Sequence, residues 1–311
     1  MKLFSTAMSL VASLCAIGCG LDSDDAEATD QAEPAVLPIY GGTPAPGIGV
    51  VAITMQDGYE CSGVVISPRA VLTAAHCLRS SKIGAGQTAE VQASVVFTKA
   101  DGRLVCLTGP EPVRTHAPRG PQCTYKATYT ASVHPKFTGS QDGHTDIAIM
   151  VRNDGRFTDL STSEIALIQL NKPSGDRLEF HGYGYENDQR TVGGRALSSS
   201  APVNEIYDDA VSLDLKGGRT CVGDSGGPMT EMFADTSPNM LVVGITAWTR
   251  DEFNGCPGNN KEAYFGRVGT KLAYIEQKLG HTCDRVKVRF GNGTRDAARC
   301  LGLANVPDRQ R

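Results

Sequence analysis

The segment GDSGGP at residues 223–228 places Ser225 among glycines. Glycine lets the backbone turn tightly and approach a substrate closely, with amide N–H groups pointing outward. A serine hydroxyl in such a turn becomes a nucleophile when a base lies beside it. Alone, the hexapeptide would equally fit a glycine-rich hairpin, so its meaning depends on the rest of the chain.

Two further segments supply the groups that activate a serine. The segment TAAHC at residues 73–77 carries His76, and the segment DIAI at residues 146–149 starts an apolar run with Asp146. Taken singly, such a histidine is usually structural and such an aspartate usually caps a turn. Together with Ser225 they provide a nucleophile, a base and a carboxylate that orients the base, as acyl transfer requires.

The elements that must position these groups are mostly short strands. Short apolar runs separated by glycine and proline predict strands at residues 49–54, 61–66, 91–97, 147–151, 165–169 and 240–247. Only residues 270–279 indicate a helix, because Leu272, Ile275 and Leu279 share one face. The 35 glycines and the low aromatic content of 6% agree with many turns between strands. The pattern predicts an all-β domain that ends near Gly280.

The first 38 residues predict export. Lys2 precedes an apolar run at residues 10–17 that is too short to span a bilayer, so residues 1–18 are interpreted as a signal peptide. The sequence AIGC at residues 16–19 resembles a bacterial lipobox, which would place a lipid on Cys19; the alternative is an ordinary secretory peptide. Residues 19–38 are acidic and predict a tether or pro-segment. The protein is expected to be secreted, periplasmic or attached to the cell surface.

Cysteine usage agrees with an oxidising compartment. Beyond Cys19, the cysteines form four pairs of near neighbours: Cys61 with Cys77, Cys106 with Cys123, Cys221 with Cys256, and Cys283 with Cys300. This pairing is the simplest, although sequence alone does not fix connectivity. No C-x-x-C pair is present, which disfavours zinc, and neither a metal nor a cofactor is expected.

The last segment, residues 281–311, is a basic extension. It contains six arginines and one lysine against three aspartates. Cys283 and Cys300 would close a hairpin through the turn GNG at residues 291–293. The extension is expected either to dock on an acidic surface or, as the favoured alternative, to pack beneath the terminal helix.

The ordered motifs resemble those of the trypsin-like serine proteases. The segment IYGG at residues 39–42 resembles the mature amino terminus of that family, and TAAHC, DIA and GDSGGP match its His, Asp and Ser motifs in order. The segment GYG at residues 182–184 resembles the family's Gly-Trp-Gly, and Trp248 its tryptophan on the substrate-binding strand. The resemblance covers residues 39–280 and implies two packed six-stranded antiparallel β-barrels with a C-terminal helix, followed here by the short disulfide-closed extension.

The resemblance also implies a mechanism. Ser225 would attack the scissile carbonyl, His76 would carry its proton to the leaving amine, and Asp146 would hold the imidazole. The N–H groups of Gly223 and Ser225 would form the oxyanion hole.

Activation is implied by the same resemblance. Cleavage before Ile39 would free an ammonium group that pairs with Asp224 and orders the Gly223 amide, so uncleaved protein is expected to be nearly inactive. Pro38 precedes the cut, which disfavours an activating protease that prefers Arg or Lys; self-activation remains open. The same cut would separate the domain from Cys19.

Primary specificity departs from that of trypsin. The resemblance places Arg219 at the base of the pocket, where it would either recruit acidic side chains or be neutralised by Glu262. Thr249 and Ala263 stand where trypsin has glycines and should narrow the pocket. Together with Thr220 and Trp248 these are the expected substrate-binding residues, and cleavage after Lys or Arg is disfavoured.

Other classes of function fit less well. The formal net charge of −4 disfavours a nucleic-acid partner. A binding protein on a catalytically silent protease scaffold would have a substituted His, Asp or Ser, and none is seen. An esterase would show a Gly-x-Ser-x-Gly elbow in an α/β setting. The sequence therefore favours a monomeric serine endopeptidase that acts on proteins or peptides.

Overall fold

The computed structural model describes residues 43–45, 48–114, 121–139, 143–185, 195–215, 220–231, 240–250, 262–290 and 293–302. All of them belong to one compact unit, Val36–Arg311. Strands dominate these residues, as the sequence predicts.

The strands of the first half are β1 (Thr43–Pro44), β2 (Val50–Met55), β3 (Glu60–Ser67), β4 (Ala70–Thr73), β5 (Thr88–Thr98), β6 (Leu104–Cys106), β7 (Val113–Arg114), β8 (Gln122–Cys123), β9 (Ala127–Val133) and β10 (Ala148–Arg152). Those of the second half are β11 (Leu167–Gln169), β12 (Arg177–Gly182), β13 (Leu197–Ile206), β14 (Ala210–Asp214), β15 (Pro228–Glu231), β16 (Leu241–Arg250), β17 (Glu262–Arg267), β18 (Asp284–Phe290) and β19 (Gly293–Arg299). The helix α1 is Leu272–Leu279, and short 3₁₀ helices lie at Ala75–Ser81, Thr162–Glu164 and Gly269–Lys271.

The first barrel runs in the order β2-β3-β4-β10-β9-β5 and closes where β2 pairs with β5. Successive side chains of a strand point to opposite faces. On β2, Val51 and Ile53 join one buried apolar cluster, whereas Val50 and Ala52 join another that also contains Ile245 of the second half. Because both faces of β2 are covered, the strand is apolar except for the buried Thr54 and does not alternate with polar residues.

The second barrel runs in the order β15-β12-β13-β14-β17-β16 and closes where β15 pairs with β16. Its interior is filled by large apolar side chains, among them Leu178, Phe180, Leu213, Met229 and Phe265. The prediction of two six-stranded antiparallel barrels is confirmed. Each of the six apolar runs predicted as strands overlaps an observed strand.

The predicted terminal helix is confirmed as α1. Leu272, Ile275 and Leu279 are all buried, as their spacing on one face requires. The helix ends at Gly280, whose φ of 75° is the left-handed conformation that glycine adopts most readily at a helix C-terminus.

The C-terminal extension forms the hairpin β18–β19, bridged by the Cys283–Cys300 disulfide. The hairpin contacts the terminal helix, because Glu276 Oε1 accepts hydrogen bonds from Arg285 Nη1 at 2.8 Å and from the Cys283 N–H at 2.8 Å. The Arg285 guanidinium holds the pKa of Glu276 below its ordinary value. In addition β19 pairs with β11, which itself pairs with β16, so the hairpin extends the sheet of the second barrel. The sequence analysis predicted the hairpin but not its pairing with β11.

One contact between the two barrels is made by Tyr183. Tyr183 follows β12, and its buried hydroxyl lies 2.7 Å from Thr98 Oγ1 on β5. Burial raises the pKa of Tyr183, so its hydroxyl stays protonated and can serve as a donor.

Within the residues described, no helix is both long enough and apolar enough to cross a membrane.

Candidate active site

His76 and Asp146 lie side by side because β4 and β10 are antiparallel neighbours. Thr73 at the end of β4 faces Ala148 at the start of β10, so the residues just beyond each strand meet. Asp146 is fully buried, and its Oδ2 lies 2.6 Å from His76 Nδ1. Its Oδ1 accepts the main-chain N–H of His76 at 2.8 Å. Both oxygens of the Asp146 carboxylate therefore contact His76.

The contact between Asp146 Oδ2 and His76 Nδ1 determines which imidazole nitrogen carries the proton. An ionised carboxylate only accepts hydrogen bonds, so Nδ1 of His76 must carry a proton. In the neutral ring Nε2 is then unprotonated and can accept a proton from a hydroxyl. The arrangement is the one that a general base needs.

The loop that carries Ser225 is a pair of tight turns. The Asp224 N–H donates to the Cys221 carbonyl at 3.0 Å, and the Gly227 N–H donates to the Asp224 carbonyl at 2.9 Å. Gly226 has φ of 83°, and a Cβ there would lie 2.1 Å from Thr73 Oγ1 of the first barrel. Only glycine lets the loop approach that barrel so closely.

Ser225 is partly exposed, and its backbone lies beside the histidine segment. Its carbonyl accepts the Ser62 N–H at 2.8 Å and lies 3.7 Å from Sγ of Cys77, the residue after His76. Cys77 is bonded to Cys61, which fastens this segment to β3. The structure thus brings the Ser225 loop next to the segment that carries His76, the partner of Asp146.

Asp224 is fully buried behind the loop. Its Oδ1 accepts the Gly184 N–H at 2.8 Å, and its Oδ2 accepts the Cys221 N–H at 2.7 Å. A Cβ on Gly184 would lie 2.6 Å from this carboxylate, so the segment GYG leaves room for it. Ile39, the expected partner of Asp224, lies outside the described residues.

Most of the expected substrate-binding residues lie on or near β16 and β17. Thr220 is buried, and Thr249 on β16 faces Ala263 on β17. The Trp248 ring stacks on Tyr264, with ring centres 5.0 Å apart and planes 6° apart. The sequence analysis missed Tyr264, because its contact with Trp248 follows only from the cross-strand pairing of β16 with β17.

Glu262 is buried at the start of β17. Its Oε1 accepts from Asn204 Nδ2 at 2.6 Å and its Oε2 from the Tyr264 hydroxyl at 2.8 Å. Arg219 and the side chain of Thr249 lie outside the described residues.

His181 on β12 lies next to the Ser225 loop and is only 3% exposed. Its Nε2 lies 3.1 Å from Thr230 Oγ1. A Cβ added to Gly227 would lie 2.0 Å from the main-chain carbonyl oxygen of His181, so the loop packs closely against this residue. Burial lowers the pKa of His181, although the Glu179 carboxylate opposes the shift. The imidazole is therefore neutral at pH 7.

Disulfides join Cys61 to Cys77, Cys106 to Cys123 and Cys283 to Cys300. Cys221 is disulfide-bonded as well, but Cys256 and Cys19 lie outside the described residues. Two groups of side chains in the described part of the chain are close enough to approach one metal ion: Cys61, His76 and Cys77, and Cys106, Glu111 and Cys123. In each group the two cysteines are oxidised to a disulfide, so they do not supply the thiolates that metals prefer.

Comparison with known proteins finds one matching family model and several relatives. Residues 39–274 match the family model described as Trypsin. Vitamin K-dependent protein C of Rattus norvegicus is 26% identical over 258 residues, which cover 74% of this chain and 48% of that protein. Transmembrane protease serine 5 of Homo sapiens is 26% identical over 269 residues, 78% of this chain and 52% of that protein. Urokinase-type plasminogen activator of Gallus gallus is 25% identical over 246 residues, 72% of this chain and 51% of that protein. The chain thus spans about half the length of these curated relatives.

Proposed function

Because this chain belongs to the trypsin family, we propose that it is a serine endopeptidase whose catalytic residues are His76, Asp146 and Ser225. The observation that carries the proposal is the contact of 2.6 Å between Asp146 Oδ2 and His76 Nδ1, next to the glycine-rich turn that carries Ser225. This contact leaves His76 Nε2 as a proton acceptor, which a serine nucleophile requires.

In the proposed reaction Ser225 Oγ attacks the carbonyl carbon of the peptide bond while its proton moves to His76 Nε2. The carbonyl oxygen becomes an oxyanion that the N–H groups of Gly223 and Ser225 stabilise. Collapse of this intermediate breaks the C–N bond, and His76 returns the proton to the leaving amine. Water then hydrolyses the acyl-enzyme by the same steps, and Asp146 stabilises the imidazolium each time.

Activation by cleavage before Ile39 is part of the proposal. Asp224 is a buried carboxylate bound by two main-chain N–H groups, and it adjoins Ser225. An additional cation at this carboxylate would offset the cost of burying its charge. The new amino terminus of Ile39 would supply that cation and thereby order the Ser225 loop.

Specificity and location form the last part of the proposal. We propose that Arg219 lies at the base of the specificity pocket, where it either recruits acidic substrate side chains or is neutralised by Glu262. We further propose that the protein is exported and, until it is cleaved before Ile39, attached to a membrane through a lipid on Cys19.

The function is tested with a biotinylated fluorophosphonate, which reacts only with an activated serine. The chain cleaved before Ile39 should become labelled, and peptide mapping should find the adduct on Ser225. The Ser225→Ala variant should remain unlabelled, whereas Ser94→Ala, which removes a buried hydroxyl from β5, should be labelled like the wild type. Hydrolysis of a protein substrate and of peptide amides distinguishes an endopeptidase from an esterase. A cleaved chain that neither reacts nor hydrolyses would instead support the binding-protein alternative.

Activation is tested by inserting the recognition site of a specific protease directly before Ile39. Cleavage at this site should raise kcat/KM at least about a hundred-fold, because an oxyanion-hole donor is worth about 10²–10³ in rate. An Asp224→Asn variant, cleaved in the same way, should stay near the uncleaved level. Full activity of the intact chain, confirmed intact by mass spectrometry, would contradict this activation mechanism.

A further inference from the structure

We infer that Ser62 is a positioning residue that holds the oxyanion hole of the proposed active site in its working conformation. The inference rests on the proposed function. It concerns a side chain of the first barrel that reaches across to the Ser225 loop of the second.

Ser62 lies on β3 directly after Cys61 and is fully buried. Its main-chain N–H donates to the Ser225 carbonyl at 2.8 Å. Its Oγ lies 2.7 Å from the Gly223 carbonyl oxygen and 2.9 Å from the Tyr183 nitrogen. One residue therefore contacts the carbonyls of both residues whose N–H groups are proposed to bind the oxyanion.

The directions of these hydrogen bonds follow from their partners. The Tyr183 N–H can only donate, so Ser62 Oγ accepts there. The Gly223 carbonyl can only accept, so the single hydroxyl proton of Ser62 points at it. The chain of bonds runs from Tyr183 through Ser62 to Gly223, and each bond polarises the next.

These contacts restrain Gly223 from both sides. The Val222 carbonyl accepts the Tyr185 N–H at 3.1 Å, and in a trans peptide the N–H of the next residue points in the opposite direction. The Gly223 N–H therefore points away from Tyr185. On the other side of Gly223, Ser62 holds the carbonyl.

Gly223 needs this restraint because it has no side chain that limits rotation. Its φ is 97°, and a Cβ there would lie 2.9 Å from the Gly184 Cα, so the loop requires glycine at this place. Glycine, however, occupies many backbone conformations with similar energy. An oxyanion hole accelerates a reaction only when its donors already point at the developing charge. The Ser62 hydroxyl supplies this order from outside the loop.

The experiment compares wild type, Ser62→Ala and the matched control Ser94→Ala, all cleaved before Ile39. Ser94 is also buried in the first barrel, and its Oγ accepts the Cys123 N–H at 2.6 Å. A burst titrant first counts the active molecules in each sample. Then kcat and KM for a peptide amide are measured per active site, together with Ki for a peptide aldehyde that forms a tetrahedral adduct with serine.

For Ser62→Ala we expect kcat per active site to fall about tenfold, the effect of losing one hydrogen bond of ordinary strength. The Ki for the aldehyde should rise by a similar factor while KM stays within about twofold, because only the adduct places an oxyanion in the hole. Ser94→Ala should match wild type in all three constants.

A purely structural role for Ser62 would lower the number of active molecules but leave kcat per site and the aldehyde Ki unchanged. That result would overturn the inference while the proposed function stands. If the wild-type chain gave no burst and no hydrolysis after cleavage, the proposed function would fail and the inference with it.

Discussion

The Asp146→Asn variant should fold normally and lose about four orders of magnitude in kcat. The reason lies in the two contacts of the carboxylate. Its Oδ1 accepts the main-chain N–H of His76, and an asparagine can satisfy that donor only with its carbonyl oxygen. The NH₂ group must then face Nδ1, which becomes the acceptor. The proton of the neutral imidazole moves to Nε2, and His76 can no longer accept the proton of Ser225.

The measurement is a pH profile of kcat for Asp146→Asn, beside circular dichroism to verify the fold. The matched control is Asp209→Asn, since Asp209 Oδ1 lies 2.5 Å from His144 Nδ1 in a second, partly exposed histidine–carboxylate pair. The control should keep kcat within a few-fold of the wild type. If Asp146→Asn stayed within tenfold of wild type, Asp146 would not have the role proposed for it.

Replacing Arg295 with methionine should destabilise the protein by about 3–5 kcal/mol, because it would leave a buried charge without its counterion. The charge belongs to Glu231 at the end of β15, whose side chain is 2% exposed. Its Oε2 accepts from Arg295 Nε at 2.8 Å. Its Oε1 accepts from Gln169 Nε2 at 3.0 Å and from the Ser174 N–H at 2.7 Å. Arg295 lies on β19, so this ion pair fastens the C-terminal hairpin to the second barrel.

Urea unfolding with disulfides intact gives the free energy of unfolding. The matched control is Arg299→Met on the same strand, where the side chain is exposed; its effect should be within about 0.5 kcal/mol. The double variant Glu231→Gln, Arg295→Met should recover part of the loss, because the uncompensated charge is then gone. Equal effects of Arg295→Met and Arg299→Met would show that the ion pair does not stabilise the hairpin.

The strands that the sequence predicts are those with mostly apolar residues, such as β2 and β16. The sequence analysis missed β13, which reads LSSSAPVNEI and contains three consecutive serines and a proline. This strand forms because β12 and β14 flank it and pair with its backbone. Strand preference of this kind depends on neighbours that are distant in sequence, so a local pattern does not reveal it.

The same difference between local sequence patterns and long-range contacts applies to the candidate site. His76, Asp146 and Ser225 stand in short motifs that can be recognised one at a time. Ser62 stands in no such motif, because its hydroxyl acts through Tyr183, 121 residues away, and Gly223, 161 residues away. Glu231 likewise gives no local signal, since its counterion comes from a different strand of the sheet. Partners of this kind appear only when the barrels are assembled.

Because β19 pairs with β11, the edge strand of the second barrel's sheet is β18, the last strand in the described order. Three basic side chains occupy alternate, exposed positions of this strand: Arg285, Lys287 and Arg289. Like charges on two such edge strands repel each other. A product shortened before Asp284 would instead present the bare backbone of β11 and uncover Leu167 and Leu241, which pack against the hairpin. Such a product is expected to aggregate by edge-to-edge pairing. The hairpin is therefore expected to keep the protein soluble as well as folded.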